Sequence, residues 1–388
     1  MALSFQRSDV TLANWRQHPF SRYSFQHVAE FVPVAEIAFP AAPEDPSPGA
    51  DALTAVRLDD GGGTVSPMEH MRRSYTDHLV VMRDGKIVAE WLDDDAAPER
   101  PHVIFSISKS VTGLLAGIAS GDGLLDPEAL VSAYVPSVER STYGTARVRD
   151  LLDMTVDLDF DEEYLDDGGA FDRYRRAMLW NPERQGSLPE TTESFLGTLG
   201  GRGHGHGSRF YYASPDTDLL GLVVERATGM RYHRYLAEKL WQPMGARGAA
   251  YVTVDRVGTA RAAGGVCITT RDLARLGQLV MDGGRGEAGR QVVPASWIED
   301  LRGNGNRQAW IDGNFADMFA NGRYRSCWYD VGDGRGSFAG VGIHGQWLWA
   351  DPTSRVVIAK TACRPDPSND AETALEISML GQLAKAIG

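Results

Sequence analysis

The chain has 388 residues, 43% of them hydrophobic, three cysteines and a formal net charge of −13 at pH 7. That length calls for one large composite domain or two lobes, and the negative charge argues against a nucleic-acid backbone or an anionic membrane as partner. It mildly favours a cationic or zwitterionic small molecule as substrate.

Cys267, Cys327 and Cys363 are few, far apart and in no metal-like pairing, which reads as reduced thiols in a cytoplasmic enzyme. No apolar run reaches the length of a membrane span, and residues 1–7 lack the apolar segment of a signal peptide.

In chain order, the first 75 residues are mixed and rich in Pro and Gly, with a flexible stretch expected over 40–49. Residues 79–82 and 86–91 read as two strands joined through Asp84-Gly85, a two-residue hairpin turn. A helix follows, carrying Lys109 to about Ser120, and Gly121 and Gly123 stop it. Shorter helical patterns cover 148–153, 192–199, 217–227 and 232–240. The glycine-rich run 200–207 lies among them, and its His204 and His206 have no third ligand near in sequence, so it reads as a mobile loop. A further helix has Thr270 as its expected N-cap and Gly283-Gly284 as its stop. Strands return at 346–349 and 356–360 around an Asp351-Pro352 turn, and a last helix spans 371–387.

This order predicts an α+β fold: an antiparallel sheet flanked by helices, built from residues 1–105 and 255–388, with a mainly helical lobe of residues 106–254 inserted.

The chemistry concentrates in Phe105-Ser106-Ile107-Ser108-Lys109-Ser110. A serine three residues before a lysine at a helix start puts hydroxyl and amine on one face. Desolvation would lower the lysine pKa and let it take the serine proton. Acyl transfer then needs a proton shuttle and two N–H groups for the oxyanion. Tyr212, just before a helix, is the best shuttle, and its phenol would need a pKa lowered by Lys109 before accepting a proton at neutral pH. The N–H of Ser106 is one oxyanion donor, and the glycine-rich run 339–346 is the place for the other.

These runs, with Tyr212-Ala213-Ser214, residues 219–221, 264–274 and 340–352, fall in the order and spacing of the serine beta-lactamase-like family, which the chain resembles over nearly its whole length. Asp153-Met154, Tyr164-Leu165-Asp166 and Leu348-Trp349 extend the likeness toward the linear-amide hydrolases of that family. The resemblance implies Ser106 as acylated nucleophile, Lys109 as its base, Tyr212 as proton relay and the N–H of Ile343 as second oxyanion donor. It implies substrate contacts from Tyr164, Ser214 and His344, and from Asp172 to an amine end. It implies no cofactor.

Two departures stand out. The family's Tyr-x-Asn is Tyr212-Ala213-Ser214, and the basic residue of its Lys/His-Thr-Gly strand is Gly340. That cation serves beta-lactam and peptide carboxylates, so a linear amide or ester fits better, with Arg323 or Arg325 as candidate replacements. The seven carboxylates over 157–167 begin like a calcium loop, but Glu162 stands where a turning Gly is needed and Gly168 where Glu is needed. The run therefore reads as a solvated loop without metal. The expectation is a serine hydrolase of small amides or esters, with a homodimer left open. A beta-lactamase or D-Ala-D-Ala carboxypeptidase is the alternative within the enzyme class, and a catalytically silent scaffold or binding protein the alternative outside it.

Overall fold

The computed structural model describes residues 5–40, 42–44, 46–165 and 168–388. The residue 1–4 part of the expected N-terminal reading, positions 41 and 45 of the expected flexible stretch, and Asp166 and Asp167 of the acidic run lie outside the described residues.

Among the described residues the strands are β1 (Val34–Glu36), β2 (Leu58–Asp59), β3 (Thr64–Val65), β4 (Thr76–Arg83), β5 (Lys86–Leu92), β6 (His102–Val103), β7 (Tyr251–Thr253), β8 (Val266–Ile268), β9 (Arg323–Arg325), β10 (Trp328–Asp330), β11 (Phe338–Gly342), β12 (Gln346–Asp351) and β13 (Val356–Ala362). Seven form the main sheet in the order β5-β4-β13-β12-β11-β10-β9, with every pairing antiparallel. A second sheet runs β1-β7-β8-β6, and β2 pairs with β3.

The β4–β5 hairpin turns through Asp84 at φ 50° and Gly85 at φ 77°. Two successive left-handed residues match the twist of a hairpin, and Asp-Gly is the pair that tolerates them.

Both faces of the sheet are covered, so its central strands are apolar runs rather than alternations. Every residue of β12 and β13 is buried. Helix Thr270–Met281 lies over Leu348 and Val357 on one face, and helix Asp370–Ile387 lies over Trp349 on the other. The expected α+β architecture, antiparallel sheets flanked by helices, is what the chain forms. The cap of the first of these helices is Thr269, not Thr270: the Thr269 hydroxyl accepts from Asp272 N–H at 3.2 Å.

Between the sheet segments come the buried helices Ile107–Gly121 and Ser214–Thr228, which pack on each other. The glycine-rich loop beside them is more firmly tied than a mobile loop. The Asp157 carboxylate accepts from the backbone N–H groups of Arg202, Gly203, His204 and Gly205 at 2.8–3.3 Å, and His206 Nδ1 accepts from Asp157 N–H at 3.0 Å. Asp159 and Asp161 pair with Arg202, so these loop carboxylates serve the chain's own donors. Among the described residues no helix is long and apolar enough to cross a membrane.

Candidate active site

The chain enters the site from β6 through Ile104 and Phe105. Phe105 has φ 42°, a conformation costing about 1–3 kcal/mol for such a residue, and its ring is held against Phe25, Trp180 and His344 at centroid distances of 4.9, 6.1 and 5.3 Å. This turn delivers Ser106 to the start of helix Ile107–Gly121. Among the described residues neither the Ser106 N–H nor the Ile343 N–H has a hydrogen-bond partner, and both residues line one cleft. His344, directly after Ile343, is left-handed at φ 61°.

Lys109, one turn into the helix, is 1% exposed. Its Nζ lies 2.9 Å from Ser106 Oγ, 3.0 Å from Ser214 Oγ and 2.9 Å from the carbonyl oxygen of Ala263. Burial lowers its pKa to about 8, against an upward pull from Glu162. About a tenth of such an amine is neutral at pH 7, and with a lone pair it can accept the Ser106 proton.

Tyr212 lines the same cleft as Ser106, whose side chain exerts a small downward pull on the phenol's pKa. Lys109 Nζ sits 4.8 Å from the Tyr212 ring centroid. The ring stacks on Phe315 at 4.7 Å, and its backbone N–H donates to Asn314 at 3.0 Å. Desolvation pushes the Tyr212 pKa well above that of free tyrosine, which corrects the expectation of a lowered value. The residue is therefore a neutral phenol, suited to pass a proton rather than to hold a negative charge.

Three supporting residues carry no local sequence signal. Glu162 accepts from Ser214 N–H and, at 2.7 Å, from the Tyr164 hydroxyl. Asp218, fully buried, accepts from Arg261 Nη1 at 2.7 Å, from Ala263 N–H at 2.8 Å and from the Tyr174 hydroxyl. It thereby fixes the segment whose Ala263 carbonyl holds Lys109. Arg364 is 5% exposed, lines the Ser106 cleft and pairs with Glu372 at 3.1 Å.

The other expected residues are distributed as follows. Tyr164 lines the Ser106 cleft. Ser214 is buried, with its hydroxyl on Lys109. His344 is buried, with Nδ1 2.7 Å from the Arg364 carbonyl oxygen. Asp172 lines a neighbouring cleft, which Tyr164 also borders. Arg323 and Arg325, the suggested replacements for the strand cation, are not in the cleft: Arg323 is bound to Asp330, and Arg325 to Asp153 and Asp300 at 2.6 and 2.7 Å. A Cβ at Gly340 would lie 3.1 Å from both Ile107 Cγ2 and Ser110 Oγ, so this glycine lets β11 lie close against helix Ile107–Gly121. The next residue, Val341, lines the cleft.

Fold and site together define a serine hydrolase of the beta-lactamase family, to which the chain belongs: the family model, described as Beta-lactamase, matches residues 65–380. It is a beta-lactamase-fold hydrolase of small amide or ester substrates. Over 381 residues it is 36% identical to the 6-aminohexanoate-dimer hydrolase of Paenarthrobacter ureafaciens, a match covering 98% of this chain and 94% of that relative. A solved structure from Bacillus anthracis, provisionally assigned as a 6-aminohexanoate-dimer hydrolase, superposes with a TM-score of 0.85 at 23% identity, over 98% of this chain and 97% of its own. EstCE1, described as a hydrolase with promiscuous acyltransferase activity, shares the fold at a TM-score of 0.60 and 14% identity, over 80% and 96%.

Proposed function

We propose that the protein hydrolyses linear amides and carboxylic esters through an acyl-enzyme on Ser106, with the 6-aminohexanoate dimer, a nylon-type oligomer, among its substrates. The observation that carries this reading is the buried Lys109 amine, 2.9 Å from Ser106 Oγ and lowered to a pKa of about 8.

Neutral Lys109 takes the Ser106 proton as Oγ attacks the carbonyl carbon. The N–H groups of Ser106 and Ile343 receive the developing oxyanion, the largest single contribution such sites make. The Tyr212 phenol gives its proton to the departing amine or alcohol and regains one from the Lys109 ammonium. Water, activated by the same pair in reverse, attacks the ester carbonyl and frees the acid.

Exchange of Ser106 for Ala should abolish turnover of a 4-nitrophenyl ester while leaving the circular dichroism spectrum unchanged, and retained turnover would refute the assignment. Mass spectrometry after fluorophosphonate treatment should find one adduct, on Ser106. Its absence would favour the silent scaffold.

The beta-lactamase or peptidase reading is disfavoured by Gly340 and Val341, an uncharged and apolar pair where the family strand carries a cation and a hydroxyl. Catalytic efficiency on nitrocefin against 6-aminohexanoate dimer ranks the two, and a strong nitrocefin preference would reverse the order.

A further inference from the structure

Beyond Tyr164 lies a second cleft of about 600 Å³ whose walls include Arg16, Asp172, Arg175, Arg176, Arg184 and His344. Tyr164 and Pro367 border both this cleft and the one holding Ser106. A substrate acylating Ser106 therefore has only that wall between its far end and the second cleft.

Asp172 is already engaged by the chain's own donors. Its Oδ2 receives Arg176 Nε and Arg184 Nη2, each at 3.0 Å, and its Oδ1 receives the Asn181 amide at 2.7 Å. A carboxylate with two guanidiniums against it has little attraction left for an incoming ammonium.

Arg175 is the opposite case. It is 8% exposed, its Nη1 donates to the Tyr164 carbonyl at 3.0 Å, and its guanidinium lies 4.2 Å from the centroid of the Phe171 ring. Among the described residues no carboxylate forms an ion pair with it. The carboxylates that act on it at a distance are Glu162 and Asp172, and both are hydrogen-bonded elsewhere. Burial lowers its pKa only to about 10, so it stays charged at neutral pH. Removing a guanidinium from water without a counter-charge is expensive, and its planar fork is shaped for a carboxylate. Arg175 also acts, with Arg16 and Arg364, against protonation of the buried His344, which lines the second cleft.

We infer that Arg175 anchors a carboxylate carried by the substrate at the end remote from the scissile bond, so that the second cleft selects acids over amines and over neutral esters. This rests on the hydrolase reading of Ser106.

The test uses the full chain and two substrate pairs. Mono-4-nitrophenyl adipate against 4-nitrophenyl hexanoate puts the carboxylate on the acyl side. 6-(Hexanoylamino)hexanoate against its N-methylamide puts it on the leaving side. The acid of at least one pair should be favoured about tenfold or more in kcat/KM, through KM, and R175Q should lose that preference. R175K keeps the charge without the fork, should recover part of the preference, and covers the case in which R175Q does not fold. Adipate should inhibit the wild type and 1,6-diaminohexane should not. Indifference to the carboxylate in both pairs, a preference surviving in R175Q, or stronger inhibition by the diamine overturns the inference alone. Failure of Ser106 to take a fluorophosphonate overturns the hydrolase reading, and this inference with it.

Discussion

Replacing Glu162 with Gln removes one charge beside Lys109, the proposed base, while leaving the shape of the site alone. The amide can still accept from Ser214 N–H and can donate to the Tyr164 oxygen, so both contacts of the carboxylate survive. Desolvation holds Lys109 at about 8, and Glu162 is the foremost upward influence. Ser214 bridges the two groups, with its hydroxyl 3.0 Å from Nζ and its N–H on the carboxylate. Charges roughly 6 Å apart interact by about 3 kcal/mol at an effective dielectric constant of about 20, and cleft water reduces this to the equivalent of about one pH unit. The acid limb of kcat/KM, centred at about 8 in the wild type, should therefore move down by about one unit in E162Q. At pH 6 the variant should be faster than the wild type by about tenfold, while at pH 9.5 the two converge. Initial rates on a 4-nitrophenyl ester from pH 5.5 to 9.5, at constant ionic strength, give both limbs. A limb that stays in place or moves upward would mean that Lys109 is not the titrating base.

The same lysine links stability to pH. Its folded pKa of about 8 lies below the unbound value of 10.5, so between those values the unfolded chain binds the extra proton and stability rises with pH, by about 3 kcal/mol in all. Urea unfolding at pH 7.5 and 10.5 should show this gain in the wild type and not in K109M, and an equal response in both would exclude it. Exchange of Asp218 for Asn leaves Arg261 buried beside a neutral partner and should cost about 3–5 kcal/mol by denaturant titration. It should also lower kcat, because the amide oxygen can still accept from Ala263 N–H but Arg261 loses its acceptor, loosening the segment that carries the Ala263 carbonyl; unchanged kcat would contradict that positioning role. G340K, which restores the family's cation, should destabilise the fold by about 1–3 kcal/mol through contact with Ile107 and Ser110 and bring no nitrocefin turnover. A thermally unaltered G340K that hydrolyses nitrocefin would show that β11 has room to spare.

The features legible in the sequence are those written in short, local patterns. The Asp84-Gly85 turn, the glycine stop after the nucleophile helix and the Ser106–Lys109 spacing each depend on neighbours within a few residues, and each appears where the pattern predicts it. The Thr269 cap was displaced by one position because two threonines in succession offer the same chemistry and only the backbone angle separates them. Glu162 and Asp218 were invisible as site residues, since what makes them matter is a contact across 52 or 45 positions of chain, and Arg364 because it reaches the Ser106 cleft only through the fold. The lowered Tyr212 pKa failed for a related reason: proximity to Lys109 could be guessed, but burial of the ring could not. Arg323 and Arg325 looked free in a sequence that gives no hint that Asp330, Asp153 and Asp300 converge on them.

The central position of β13 has a consequence for how the protein is made. This strand is synthesised last in the sheet, yet it sits between β4 and β12, and every one of its residues is buried. Until residue 356 emerges, the nascent chain carries β4 with one edge satisfied by β5 and the other open, lined by side chains destined for the interior. An open apolar edge is a template for pairing with another chain, and sheet closure between distant segments is slow because the loop between them must be ordered first. Expression yield should therefore be limited by translation and chaperone capacity rather than by the final stability of the fold. Any chain ending before β13 would lack the middle of its sheet rather than an edge.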